Sequence, residues 1–226
     1  MRGFLVFCLV FILVSGATAA VEAKVLGGAS LSSYSICPKE IGDWYSGYLR
    51  YQTAYRSGFL AGAGLEWPLV KKVRMEIDLL YFQKGGQITG TSASEEKWDH
   101  NYTLDVISLP VLVKIKPLPR SSPYLVHGGE LFYVLAHKCA YTFYPYPWPS
   151  QIVSTSIENI KEEMKRFGLG VIVGAGWEIE FRGVAFSIEI RYHFGLLNLL
   201  REEGSGPLCV ASMKANSQVI LCGFKF

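Results

Sequence analysis

The stretch "GVAFSIEIRYHFGLL", residues 183–197, decides the fold. Every second residue from Val184 gives Val184, Phe186, Ile188, Ile190, Tyr192 and Phe194, and the residues between them are Ala185, Ser187, Glu189, Arg191 and His193. A period of two is the signature of a β-strand, whose successive side chains leave a pleated backbone on opposite faces. One face is apolar and the other is charged. The question is whether the apolar face looks into a protein core or out into lipid.

The same alternation recurs along the chain. "RFGLGVIVGAGWEIEF" places Phe167, Leu169, Val171, Val173, Ala175, Trp177, Ile179 and Phe181 on one side, with Gly168, Gly170, Ile172, Gly174, Gly176, Glu178 and Glu180 on the other. Arg182 and Gly183 then join it to the opening stretch as a tight hairpin. "SGFLAGAGLEWPL", "VRMEIDLLYFQ" and "LDVISLPVLVKIK" alternate likewise. "PYLVHGGELFYVLAHK" has a less clear phase, because His127 and Glu130 fall on opposite faces. "AKVLGGASLSS" begins the set and "SQVILCGFKF" ends it, for about eight strands.

Short breaks at Val70–Lys72, Pro117–Ser122 and Arg182–Gly183 alternate with long ones at Tyr34–Tyr55, Gly86–Asn101, Cys139–Lys165 and Asn198–Ala215. Sorting of short turns to one rim and long loops to the other describes an eight-stranded antiparallel up-and-down transmembrane β-barrel. The charged face favours that reading over a soluble barrel. It is rich in glycine and carries both signs of charge: Arg74, Glu76, Asp78, Lys114, Glu178, Glu189, Arg191 and Lys225. Small residues and mutually neutralising charges are what the interior of so narrow a barrel accepts. The aromatics Phe59, Trp67, Tyr81, Phe167, Phe181, Tyr192 and Phe194 lie toward strand ends, where an aromatic girdle belongs. The reading therefore puts the charges in a polar, filled lumen and the apolar face against outer-membrane lipid.

The 226 residues carry a formal charge of +3 with no basic run, so nucleic acid is not an expected partner. Residues 1–20, "MRGFLVFCLVFILVSGATAA", join Arg2 to an apolar run too short for a comfortable span and end in small residues, the pattern of a cleaved signal peptide. The barrel domain is then 21–226.

"SGFLAGAGLEWPLVKKVRMEIDLLYFQKGG", "ISLPVLVKIKP", "PYLVHGGELFYVL", "FGLGVIVGAGWEIEF", "FSIEIRYHFGLLNL" and the terminal Phe226 together resemble the PorT-like outer-membrane β-barrel domain of Gram-negative bacteria, over about positions 24–226. The resemblance implies a cell outer membrane location, both termini in the periplasm and long loops at the cell surface. Ile220, Phe224 and Phe226, at alternate places, look like the signal read by the barrel-insertion machinery. The family mostly lacks a defined biochemical activity, which implies a non-enzymatic, structural or surface-interaction role, with an extracellular or envelope partner at the loops.

The lumen charges suit a salt-bridged plug better than an ion path. Ser187, Glu189 and His193 share one strand face at spacings of about 7 Å, a poor triad. His100, His127, His137 and His193 are scattered, "HKC" (His137–Cys139) is weak as a metal motif, and the sequence calls for no metal, cofactor or catalytic residue. Cys37, Cys139 and Cys209 fall in or beside surface loops, where two of them would form a disulfide, Cys37–Cys139 first; Cys222 faces lipid. "YTFYPYPWPS" (141–150) would cap the mouth, and Thr155 with Glu158 begins a short helix sharing Ile157, Ile160 and Met164 on one face. Two alternatives remain: a narrow channel or small-solute transporter, and a soluble periplasmic lipid-binding barrel.

Overall fold

The computed structural model describes residues 21–38, 50–91, 97–118, 122–144, 154–160, 164–181, 183–200 and 210–226. Ten strands run β1 (Glu22–Pro38), β2 (Arg50–Ala54), β3 (Arg56–Val70), β4 (Val73–Thr91), β5 (Lys97–Ile115), β6 (Ser122–Tyr144), β7 (Ser154–Asn159), β8 (Phe167–Phe181), β9 (Val184–Gly195) and β10 (Val210–Lys225). Eight of them close a ring in the order β3-β1-β10-β9-β8-β6-β5-β4, with β4 returning to β3, and all neighbours are antiparallel. First and last strands meet, Lys24 opposite Lys225, and the ladder runs out to the terminal residue through Phe226 N to Ala23 O at 3.0 Å. A closed ring leaves no strand edge for lipid to face.

Short strands β2 and β7 extend β3 and β8 above the ring, pairing with β4 and β6. The expected helix at Thr155 is therefore a strand: Ser154–Asn159 is laid along Lys138–Phe143. One short turn of helix is marginal alone, whereas this ladder satisfies the backbone of a segment rich in Ser, Thr and Ile. The break at Gly86–Asn101 is also shorter than expected, because β4 and β5 pair as far as Thr91 opposite Lys97. The turn between β8 and β9 is tight, since Phe181 pairs with Val184, and Gly183 has φ +86°, a left-handed conformation that glycine adopts without Cβ strain.

The outward face answers the opening question. On β5 the outward residues Ile107, Leu109, Val111, Val113 and Ile115 are apolar, and the next five, Asp105, Thr103, Asn101, Asp99 and Lys97, are polar. β4 changes at the same level, Tyr81 opposite Ile107 and Gln83 opposite Asp105. β1 and β10 change from Leu31 to Ser33 and from Ile220 to Gln218. Five outward positions cover nine residues, about 20–25 Å of height at a tilt of ~40°, the thickness of an outer-membrane apolar belt. β8 and β9 end at the top of this belt, so the part above it is a wall built from β10, β1, β2, β4, β5, β6 and β7.

Inside, Leu26, Leu60, Leu80, Phe82, Leu104, Val106, Phe132, Val219 and Leu221 form an apolar layer above a charged lower lumen. In the wall, Tyr34, Ile88, Tyr102, Cys139 and Met213 face inward and are covered by Ile160, Met164, Leu199 and Leu200. Backbone bonds hold that cover: Ile160 N to His137 O at 3.0 Å, Lys165 N to Leu199 O at 2.7 Å and Leu199 N to Met213 O at 2.9 Å.

Candidate functional site

The lower lumen is the chemical centre of the molecule. It holds Lys24, Arg74, Lys114, Lys116, Arg191 and Lys225 against Glu22, Glu66, Glu76, Asp78, Glu178 and Glu189, six cations and six carboxylates. All but Lys116, which follows the end of β5, come from inward positions of their strands, and the two-residue period stacks charges above one another on β4 (Arg74, Glu76, Asp78) and β9 (Glu189, Arg191).

Arg191 is the hub. Its fork donates through Nη1 to Asp78 Oδ2 at 2.9 Å, through Nη2 to Glu76 Oε1 at 2.6 Å and through Nε to Glu189 Oε2 at 2.7 Å. Lys114 reaches Glu66 at 2.9 Å and Glu76 at 3.0 Å, with its ammonium 4.3 Å from the Tyr124 ring centroid. Lys24 pairs with Glu76 and with Asp78, the latter at 3.2 Å. Lys225 joins Glu22, Glu178 and Glu66 at 2.9, 3.0 and 3.5 Å. Buried charges are stable only when paired, and equal numbers of each sign make the plug neutral.

A second polar group sits one layer higher. Lys84 donates to Glu130 Oε1 at 2.7 Å and lies 4.7 and 4.6 Å from the ring centroids of Phe82 and Phe132. Ser108 Oγ donates to Glu130 Oε2 at 2.8 Å, and His193 Nδ1 lies 3.0 Å from the same oxygen. Ser108 and His193 thus share a carboxylate that Lys84 also holds, instead of bonding to each other, so the three do not line up as a serine, histidine and acid relay. Glu189 is committed to Arg191, so Ser187, Glu189 and His193 do not converge as a triad.

Arg74, Glu76, Asp78, Lys114, Glu178, Glu189, Arg191 and Lys225 all lie in the lumen network; Ile220, Phe224 and Phe226 point outward and are exposed. The network also holds Glu22, Lys24, Glu66 and Lys116, and the layer above it Lys84 and Glu130, none of which is in the expected set. Glu66 shares the charged face of β3 with Gly62 and Gly64, a signal that was available. Glu130 is obscured by His127, a polar residue on the outward face of the same strand; further on, β6 pairs Val134 with Val106 and Ala136 with Asp105, so Leu135 is extra and the inward series passes from Val134 to His137.

That shift also corrects the placement of Cys139. It is not in a loop but buried in the wall, its Sγ 3.4 Å from His100 Nδ1. The side chain of Cys37, and Cys209, lie outside the described residues, as do residues 1–20 and 145–150. Cys222 is exposed on the belt. His127 also faces outward. Among the described residues no three His, Cys, Asp or Glu side chains are grouped to hold a metal.

Lumen glycines make room for this packing. A Cβ on Gly168 would stand 2.1 Å from Phe132 Cζ, in a ring already held against Lys84. Gly168→Val is expected to destabilise the barrel by about 1–3 kcal/mol, as overpacking does. The check is the temperature at which the compact gel band is lost, and Phe132→Leu should restore part of it.

A closed eight-strand ring with an apolar belt, a filled polar lumen and short turns on one rim defines an integral outer-membrane β-barrel protein. Residues 17–201 match the family described as outer membrane protein beta-barrel domain, and the chain belongs to that family. No curated protein matches it. Among solved structures it is similar to Ail, the attachment invasion locus protein of Yersinia pestis (12% identity, 91% of this chain and 99% of that one, TM-score 0.40). It is also similar to OprG from Pseudomonas aeruginosa (14%, 93% and 98%, TM-score 0.43) and the outer membrane protease OmpT from Escherichia coli (10%, 94% and 99%, TM-score 0.46). The protein resides in the cell outer membrane.

Proposed function

We propose that this is a closed, non-enzymatic barrel of the PorT-like kind, exported through a signal peptide at 1–20, that acts structurally or through its extracellular wall and loops. One observation carries the reading: the lumen is blocked twice, below by the neutral ion-pair network around Arg191 and above by Ile160, Met164, Leu199 and Leu200. A conducting pore of this strand number needs an open polar path, and here the polar groups are closed on one another, Arg191 with three carboxylates and Lys84 with Glu130 between the rings of Phe82 and Phe132. That His193 bonds to Glu130 and not to the Ser108 hydroxyl supports a non-enzymatic role. Ile220, Phe224 and Phe226 serve the insertion machinery, and an envelope or extracellular partner binds at the loops.

The protein reconstituted in planar bilayers is expected to be electrically silent at moderate voltage. Discrete, ion-selective steps that disappear when Arg191 is changed would establish the channel reading instead. An epitope inserted between Thr91 and Lys97 should be detected on intact cells, which tests that the wall faces outward.

A further inference from the structure

The wall above the belt has an outer face as well as an inner one. On β4 and β5 it presents Gln87, Thr89, Asp99, Asn101 and Thr103, in cross-strand register: Gln87 opposite Asn101 and Thr89 opposite Asp99. Side-chain bonds tie the strands together on this face, Thr89 Oγ1 to Asp99 Oδ1 at 2.7 Å and, at the belt edge, Gln83 Nε2 to Asp105 Oδ1 at 3.1 Å. Those carboxylates are thereby fixed as oriented acceptors.

Three features point to one occupant. The face begins where the lipid belt ends, one pleat above Tyr81 and Ile107, so it stands in the headgroup layer. Its outward groups are amides and hydroxyls (Gln83, Gln87, Thr89, Thr91, Asn101 and Thr103) with two carboxylates, Asp99 and Asp105, and a single lysine, Lys97. Such groups suit hydroxyl-rich ligands, which both donate and accept, and suit phosphate poorly. The cross-strand bonds also reduce the side-chain freedom lost on binding.

We infer that the β4–β5 outer face above the belt binds the saccharide headgroups of outer-leaflet glycolipid. The inference rests on the wall facing the cell exterior, which the epitope experiment tests separately.

The test compares the heat stability of the refolded protein in three vesicles: phosphatidylcholine alone, phosphatidylcholine with lipid A, and phosphatidylcholine with rough lipopolysaccharide at equal phosphate content. The expected result is a rise of several degrees that requires the core sugars, and its loss in Thr89→Val/Asn101→Leu/Thr103→Val. A rise equal in lipid A and lipopolysaccharide, no rise at all, or a rise retained in the variant would each overturn the inference. Should the triple variant not fold in phosphatidylcholine, Asn101→Leu alone is used, since its side chain is exposed and its strand pairing is made by the backbone.

Discussion

Arg191→Met will destabilise the barrel by about 3–5 kcal/mol, the effect of removing one partner from a buried ion-pair cluster. The guanidinium is fully buried and makes the contacts that join Glu76 and Asp78 of β4 to Glu189 of β9, across the lumen from one another. Without it three carboxylates share Lys24 and Lys114, and the desolvation of each is no longer offset. Arg191→Lys keeps the charge but loses the planar fork that reaches three acceptors, so an intermediate loss is expected. Arg191→Met/Glu189→Gln should recover part of the deficit, because the two residues are coupled and their effects do not add. Denaturant midpoints in vesicles give the comparison, and a wild-type midpoint for Arg191→Met would show that the hub carries no net stability.

The two-residue period made the belt and the lower lumen legible, and it failed where the chemistry of the faces exchanged. In the belt, outward residues are apolar and many inward ones polar. Above Tyr81 and Ile107 the outward residues become Gln87, Asn101 and Thr103 while the inward ones include Ile88, Tyr102 and Leu104. The apolar phase inverts at the membrane boundary, and an alternation followed by its outward apolar members alone ends there, which is why the overhang reads as loops in the sequence. Lys24 is illegible for a different reason: β1 opens with Glu22 and Lys24 on a strand otherwise of small and apolar residues, and nothing in the sequence shows that Glu76 stands across from Lys24. Pairing across a closed ring is a property of the fold.

The overhang also carries the clearest dependence on pH. His137 and His100 lie above the belt, level with outward Lys138, Asn101 and Thr103, and flank Tyr102 with ring centroids 5.5 and 5.9 Å away. Burial pushes the His137 imidazole down to about 4; burial does the same to His100, also to about 4, with Asp99 pulling it slightly the other way. The charged groups near them are Asp99 and Arg56, with Tyr34 donating or accepting at His137 Nε2 at 3.2 Å. A histidine whose folded pKa is depressed is neutral when folded and takes up a proton only on unfolding, so stability is full above about pH 6.5 and declines as pH falls toward about 4. For His137 alone the loss across that window is of the order of 3 kcal/mol. The first element to yield should be the cover, because Ile160 is bonded to the His137 carbonyl and the apolar side chains above it would face a new cation. Cys139, buried in the same layer, reports this event. Its reaction with 4,4′-dithiodipyridine, which proceeds at acid pH, is expected to be slow at pH 7 and to accelerate below pH 5, and His137→Phe should keep it slow. Protection of Cys139 unchanged down to pH 4 in the wild type would mean that the wall holds both imidazoles neutral with stability to spare.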